Sequence, residues 1–304
     1  MRLNQIRDFI ATVEAGSIRA ASRRLALSQP ALTKSLRQLE NELGAVLLTR
    51  GVRGARPTDL GRAFLSRARA ISTDLRRARE ELAQLRGSGA GSLSIGAAPG
   101  PALSLLPAVL ARLRARWPEA SVRIVDVSPS GVLPGLREGA LDIAVCASVG
   151  PLARVNSEWA VDPLYLNDAA IVARAGHPLR GVRRMAALSG TEWVRSGYPG
   201  DSSALPDAFR KAGLPPPSYR VDCPSFLMVP AVVARTDLLA VVPWQLAQRE
   251  VRAGHLARIP LIEKLPPRQI SLYWRADVPL TPLASHCAEI LRAEAGRQRR
   301  APWA

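Results

Sequence analysis

The chain has 304 residues, 47% of them hydrophobic, with 42 Lys+Arg against 25 Asp+Glu and a net charge of +17. That length holds two or more domains, and the composition excludes a disordered or fibrous chain. The basic balance suits nucleic acid, an anionic membrane surface or an anionic ligand, and charge alone does not choose among them. The excess is uneven: residues 1–90 carry 17 Lys+Arg against 8 Asp+Glu, and the rest carry 25 against 17. Cys146, Cys223 and Cys287 are far apart, without a CxxC pair, so they read as buried free thiols rather than a disulfide framework or zinc site. Asp8 and Glu14 interrupt the first apolar residues, so no signal peptide forms. No apolar run is long enough for a membrane span, and a soluble cytoplasmic protein is expected.

Ile6, Phe9, Ile10 and Val13 set one apolar face of a first helix. Gly16 breaks it and Ser17 caps a short second helix, Ile18 to Leu25. The third helix lies in "LALSQPALTKSLRQLENELG", Leu25 to Gly44. Ser28 is its N-cap and Pro30 falls in the first turn, where the missing N–H costs nothing. Leu32, Leu36, Leu39 and Leu43 form one core stripe. Pro30, Thr33, Lys34, Arg37 and Asn41 sit toward the other side. Small polar groups at a helix start, with cations beside them, suit base edges and phosphates; an ordinary amphipathic surface helix is the plain alternative. Val46 to Thr49 then reads as a strand, Gly51 and Gly54 bracket a turn, and Arg50, Arg53 and Arg56 mark a basic hairpin. Three helices and such a hairpin make a winged helix-turn-helix over residues 1–58, its arginines placed for phosphate or the minor groove.

Thr58 caps a long helix over 59–87. Phe64, Ala68, Ile71, Leu75, Ala78, Leu82 and Leu85 follow a strict alternation of four and three residues, the seam of a helix that wants a partner helix. A dimer is expected; packing of this helix on its own chain is the alternative. "RGSGAGS", Arg86 to Ser92, is a flexible hinge.

From residue 92 onward strands and helices alternate. "SLSIG" is a strand and Ala102 to Arg116 a helix, with Leu105, Leu106, Val109 and Leu113 inward. "VRIVDV" is a strand, Gly131 to Glu138 a helix, and "LDIAVCA", "AAIVARAG", "EWVRSG", "SYRVDC", "LLAVVP" and "ISLYWR" are further strands. The pattern is βα, with parallel sheets expected. Ligands of such sheets bind beyond the carboxyl ends of strands. Four stretches qualify: Ala98–Leu103, with Gly100, Pro101 and Ala102; Ser128–Gly131; Ser196–Ser203, with Ser196, Gly197, Ser202 and Ser203; and Cys223–Phe226, with Ser225 and Phe226. Their serines and backbone N–H groups suit a carboxylate or sulfonate, though any single serine is more readily a helix cap. Arg195 and Tyr198 are candidates to add charge or stacking; Arg195 is as readily a surface charge.

Chemistry is not indicated. GxSxG, HExxH, a Walker A loop and GxGxxG are all missing, and His177, His255 and His286 have no metal spacing. No catalytic residue, metal or cofactor is expected. Cys146 sits in an apolar strand and Cys223 precedes proline, which disfavours a redox sensor.

"LNQIRDFIATVEAGSIRAASRRLALSQPALTKSLRQLENELGAVLLTRGVRGARPTDLG" closely resembles the DNA-binding domain of the LysR-type transcriptional regulators. The ordered elements are "AA" of the second helix, "SQPAL", "LE-ELG", "LLTR" and "PT--G", and they extend over roughly residues 1–86. Ile18 and Leu48 stand where that family usually has an aromatic and a phenylalanine. The resemblance implies Gln29, Pro30 and Thr33 at base edges, and Lys34, Arg37, Arg50, Arg53 and Arg56 at phosphates or the minor groove. It implies an α/β multi-domain chain whose residues 92–304 form a type 2 periplasmic-binding-protein-like effector domain of two subdomains. The lobes are drawn at about 92–163 plus 268–304 and about 164–267, with crossovers at Pro163 and Leu265–Gln269. "PGPA" stands where relatives place a serine or threonine. The implied protein is a dimer of dimers on a partly palindromic promoter site in double-stranded DNA, acting with RNA polymerase and answering a small organic anion. A nonspecific architectural DNA binder and a redox-sensing regulator are the competing readings.

Overall fold

The computed structural model describes residues 1–51, 54–147, 157–197 and 204–300. The chain divides into two units, residues 1–88 with 134–141, and 89–133 with 142–304.

In the first unit, α1 (Leu3–Ala15), α2 (Ile18–Leu25) and α3 (Gln29–Leu43) precede the hairpin β1 (Leu48–Gly51) and β2 (Gly54–Pro57). The local signals act as expected. Ser17 Oγ accepts from Ala20 N (3.1 Å), and Gly16 sits at φ 68. Ser28 Oγ accepts from Ala31 N (3.3 Å). Ile6, Phe9, Ala21, Leu32, Leu36, Leu39, Leu47 and Leu48 close one core. Leu43 departs from the expected stripe: it is 39% exposed, as the last residue of α3 before its C-cap Gly44. The hairpin strand also starts later than expected, with Leu48 opposite Pro57 and Gly51 opposite Gly54.

Two glycines have no substitute. Gly54 has φ +98, and a Cβ on it would stand 2.2 Å from the Gly16 carbonyl oxygen. That oxygen accepts from Ala55 N at 2.8 Å, which seats the wing on the α1–α2 turn. Gly61, the glycine of "PT--G", would bring a Cβ to 2.0 Å from the Leu47 oxygen. α4 (Asp59–Leu85) starts there, capped by Thr58 Oγ accepting from Gly61 N at 2.9 Å.

Residues 134–141 join this unit rather than the second. Arg77 Nη2 donates to the Leu141 oxygen (3.1 Å) and Thr73 Oγ1 to the Gly139 oxygen (3.3 Å), so α4 holds this segment.

The second unit contains two five-stranded sheets. The first comprises β3 (Gly91–Ala97), β4 (Ala120–Asp126), β5 (Ile143–Ala147), β6 (Trp159–Asn167) and β12 (Arg268–Arg275), in the order β4-β3-β5-β12-β6. The second comprises β7 (Ala169–Arg174), β8 (Glu192–Ser196), β9 (Ser218–Cys223), β10 (Leu239–Pro243) and β11 (Leu256–Arg258), in the order β11-β7-β10-β8-β9. Helices α5 (Pro99–Ser104), α6 (Leu106–Arg116), α7 (Pro129–Arg137), α8 (Ala204–Lys211), α9 (Met228–Val233), α10 (Trp244–Arg252) and α11 (Pro282–Arg300) connect or flank the strands.

Three expectations change. The sheets are mixed: β12 runs antiparallel to β5 and β6, and β7 antiparallel to β10 and β11. These antiparallel strands begin and end the excursion from one lobe to the other. Second, Pro163 is not the crossover. It lies inside β6 opposite Ser271, at a register shift, and the chain changes sheet at Asp168. Third, the helix expected over 102–116 is two helices. They meet at Leu105, because Pro107 has no N–H to continue the ladder of α5 and instead starts α6.

Candidate functional site

The exposed side of α3 carries Gln29, Pro30, Lys34 and Arg37, with Thr33 half-buried beside them. Among the described residues neither Lys34 nor Arg37 has an acidic partner. Two carboxylates fix this helix from behind. Asp8 of α1, 2% exposed, accepts from Ser35 Oγ at 2.7 Å and from Arg7 Nη2 at 2.9 Å. Glu40 of α3 accepts from Leu47 N (2.9 Å) and Leu48 N (3.1 Å), joining the helix to the first strand of the wing. On the wing, Arg56 is exposed opposite Thr49; Arg50 pairs its backbone with Ala55, and Arg53 lies outside the described residues.

The seam of α4 splits into two parts. Ala68 is fully buried in the core of the first unit, and the Phe64 ring lies 5.3 Å from that of Phe9. These two positions close the domain's own core instead of awaiting a partner. Further along, Ile71, Ala78, Leu82 and Leu85 are exposed, Leu82 to 58% and Leu85 to 70%, with Leu75 half-buried.

In the second unit the carboxyl ends of β3 and β10 meet. Gly100 and Pro101, after β3, are buried, and Ala102 is half-buried. A Cβ on Gly100 would lie 3.4 Å from both Asn167 Nδ2 and Pro243 Cβ. Gln245 Nε2 donates to Asn167 Oδ1 (2.6 Å), while Gln245 Oε1 is buried without a partner among the described residues. Two of the serines make framework contacts. Ser128 Oγ accepts from Gly131 N at 3.2 Å, a helix cap. Ser196 Oγ donates to the Val241 oxygen at 2.5 Å, which ties β8 to β10. Gly197 has φ 95 and donates its N–H to the Cys223 oxygen. Ser225 is exposed with its oxygen accepting from Met228 N, and Phe226 is half-buried. Arg195 is a surface charge, paired with Asp222 at 3.2 Å and stacked on Tyr219. Tyr198, Ser202 and Ser203 lie outside the described residues.

Two family models match the chain. The LysR substrate binding domain matches residues 86–296, and the bacterial regulatory helix-turn-helix protein of the lysR family matches residues 3–62. The chain belongs to the LysR family. It is a DNA-binding transcriptional regulator with an effector-binding domain, not an enzyme. The SDS degradation transcriptional activation protein of a Pseudomonas species is 32% identical over 97% of each chain. GbpR of Azospirillum brasilense, an HTH-type transcriptional regulator, is 29% identical over 99% of this chain and 88% of its own. Full-length CbnR, solved with its target DNA, shares the fold at a TM-score of 0.72 and 23% identity, over 97% of this chain and 100% of that one.

The contact between Asn167 and Gln245 beside Gly100 is one that sequence reasoning does not reach. Each is an ordinary amide in sequence, one at a strand end and one in a helix, and only the tertiary contact joins them. The cysteines give a redox reading no support. All three are buried, and burial pushes the Cys287 thiol up to about 12, away from the thiolate a sensor needs. His177 is structural, accepting from Leu179 N through Nδ1 (3.0 Å), with Nε2 3.2 Å from the Asp237 oxygen. Among the described residues no helix is long and apolar enough to cross a membrane.

Proposed function

We propose that this regulator reads a partly palindromic promoter site with the N-terminal turns of α3, as a dimer of dimers, under control of a small organic anion held between the two lobes, and acts on transcription through RNA polymerase. One observation carries the reading: Gln29, Pro30, Lys34 and Arg37 are exposed together at the start of a helix whose opposite side is locked by Asp8 and Glu40. Gln29 and Thr33 face base edges. Lys34, Arg37 and Arg56 face phosphates. Ile71, Leu75, Ala78, Leu82 and Leu85 meet a second α4. The effector lies by Gly100, Ser225 and Phe226, beyond the carboxyl ends of β3 and β9, and the positive balance of the second half of the chain favours an anion.

Titration of cognate and random duplexes at several salt concentrations tests this. Lys34→Ala weakens both duplexes and lowers the salt slope by about one. Thr33→Ala or Gln29→Ala narrows the gap between cognate and random DNA by about 1–3 kcal/mol. Equal loss on both duplexes for all three variants refutes base readout by α3.

A further inference from the structure

The second lobe holds a cavity that the cleft reading does not use. It has a volume of about 600 Å³ and is lined by both Asp168, where the chain leaves the first sheet, and Pro267, just before it returns as β12; the adjoining Asn167 and Arg268 are paired in that sheet. Both crossings therefore form its wall. The volume is within the range of small-molecule sites. Ile171, Ile259 and Leu265 supply apolar lining.

The charges at the rim divide into engaged and free. Glu263 Oε2 accepts from Met185 N at 3.2 Å, and its other oxygen is 4.0 Å from Arg184. Arg258 lies over the Trp244 ring, 5.0 Å from its centroid. Asp168 and Lys264 are both exposed, and among the described residues neither side chain has an ion-pair partner. The cavity thus offers one free carboxylate, one free ammonium and an aliphatic wall. A pure anion satisfies Lys264 and faces Asp168; a pure cation does the reverse. A molecule carrying both charges beside an apolar group satisfies all three.

We infer that the hinge cavity is a second small-molecule site, distinct from the cleft at Gly100, and that it takes an α-amino acid with a large apolar side chain. The ammonium meets Asp168, the carboxylate meets Lys264, and the side chain lies on Ile171 and Leu265. The site stands or falls independently of the effector proposed for the cleft.

Titration calorimetry on the full chain tests it with three probes of one shape: L-phenylalanine, 3-phenylpropanoate and 2-phenylethylamine. L-phenylalanine binds about tenfold tighter than either single-charge analogue. Lys264→Gln weakens L-phenylalanine and 3-phenylpropanoate and leaves 2-phenylethylamine unchanged; Asp168→Asn weakens L-phenylalanine and 2-phenylethylamine and leaves 3-phenylpropanoate unchanged. Both side chains are exposed, and circular dichroism confirms that each variant folds. A crystal soaked in L-phenylalanine shows it against Leu265. Absence of binding up to the solubility of L-phenylalanine, indifference of all three probes to both substitutions, or density at Gly100 alone overturns the assignment.

Discussion

The bond between Glu40 and the wing is the contact whose removal is most informative. Glu40→Ala removes the acceptor for two backbone N–H groups, those of Leu47 and Leu48, in residues only 2% and 3% exposed. A hydrogen bond to an ionised group contributes about 1.5–3 kcal/mol. Glu40 is half-exposed, so the lower end applies to each bond, and the pair contributes about 3 kcal/mol. The gain in helix propensity from alanine is only a few tenths of a kcal/mol and does not offset this. Glu40→Gln keeps a neutral acceptor and loses about half as much. The assay is hydrogen exchange of the Leu47 and Leu48 amides in the full chain, which reports local opening rather than global unfolding. Exchange accelerates roughly 100-fold in Glu40→Ala and roughly tenfold in Glu40→Gln. The salt slope of DNA binding falls with it, because the wing no longer holds Arg56 in place. Exchange in Glu40→Ala within about twofold of the parent refutes the coupling of α3 to the wing.

Two further outcomes follow from other parts of the molecule. Leu82→Glu with Leu85→Glu places charges on the exposed end of α4; sedimentation of the doubly substituted chain shows smaller species than the parent, and an unchanged mass disproves the seam. Arg112, first, and Arg297 beside the Glu294 carboxyl hold it below the usual carboxylate range. Its contribution is therefore fully present above the unfolded value of about 4.3 and is lost as pH falls through the lower folded value; Glu294→Gln flattens the acid limb of the thermal-unfolding curve, and identical acid limbs reject the assignment.

The reading head was legible because its determinants are local. Ser17, Ser28 and Thr58 each cap within three residues, and Gly61 is marked by its own motif. The leucine stripe needs only helical periodicity, which does not reveal that its last member, Leu43, stays exposed. The effector half depended on contacts distant in sequence. β6 has no clear signal and Pro163 reads as a boundary, because a proline inside a strand is tolerated only at an irregularity, here the shift opposite Ser271. Ser196 donates its hydroxyl to the oxygen of Val241, far along the chain, a contact that no local pattern marks. Asn167 and Gln245 have no signal at all, since an amide pair joined across the fold has no spacing.

The bond between Asp8 and Ser35 bears on how such a reading head evolves. A row of leucines repeats every turn, so by itself it permits α3 to slide or roll by one step and still bury its side chains. A single polar peg in that row does not repeat, and any slipped arrangement leaves a buried carboxylate without its hydroxyl. The peg indexes the helix. With the register fixed from inside, the outward residues are free to change with a new operator sequence without any need to rebuild the domain that presents them.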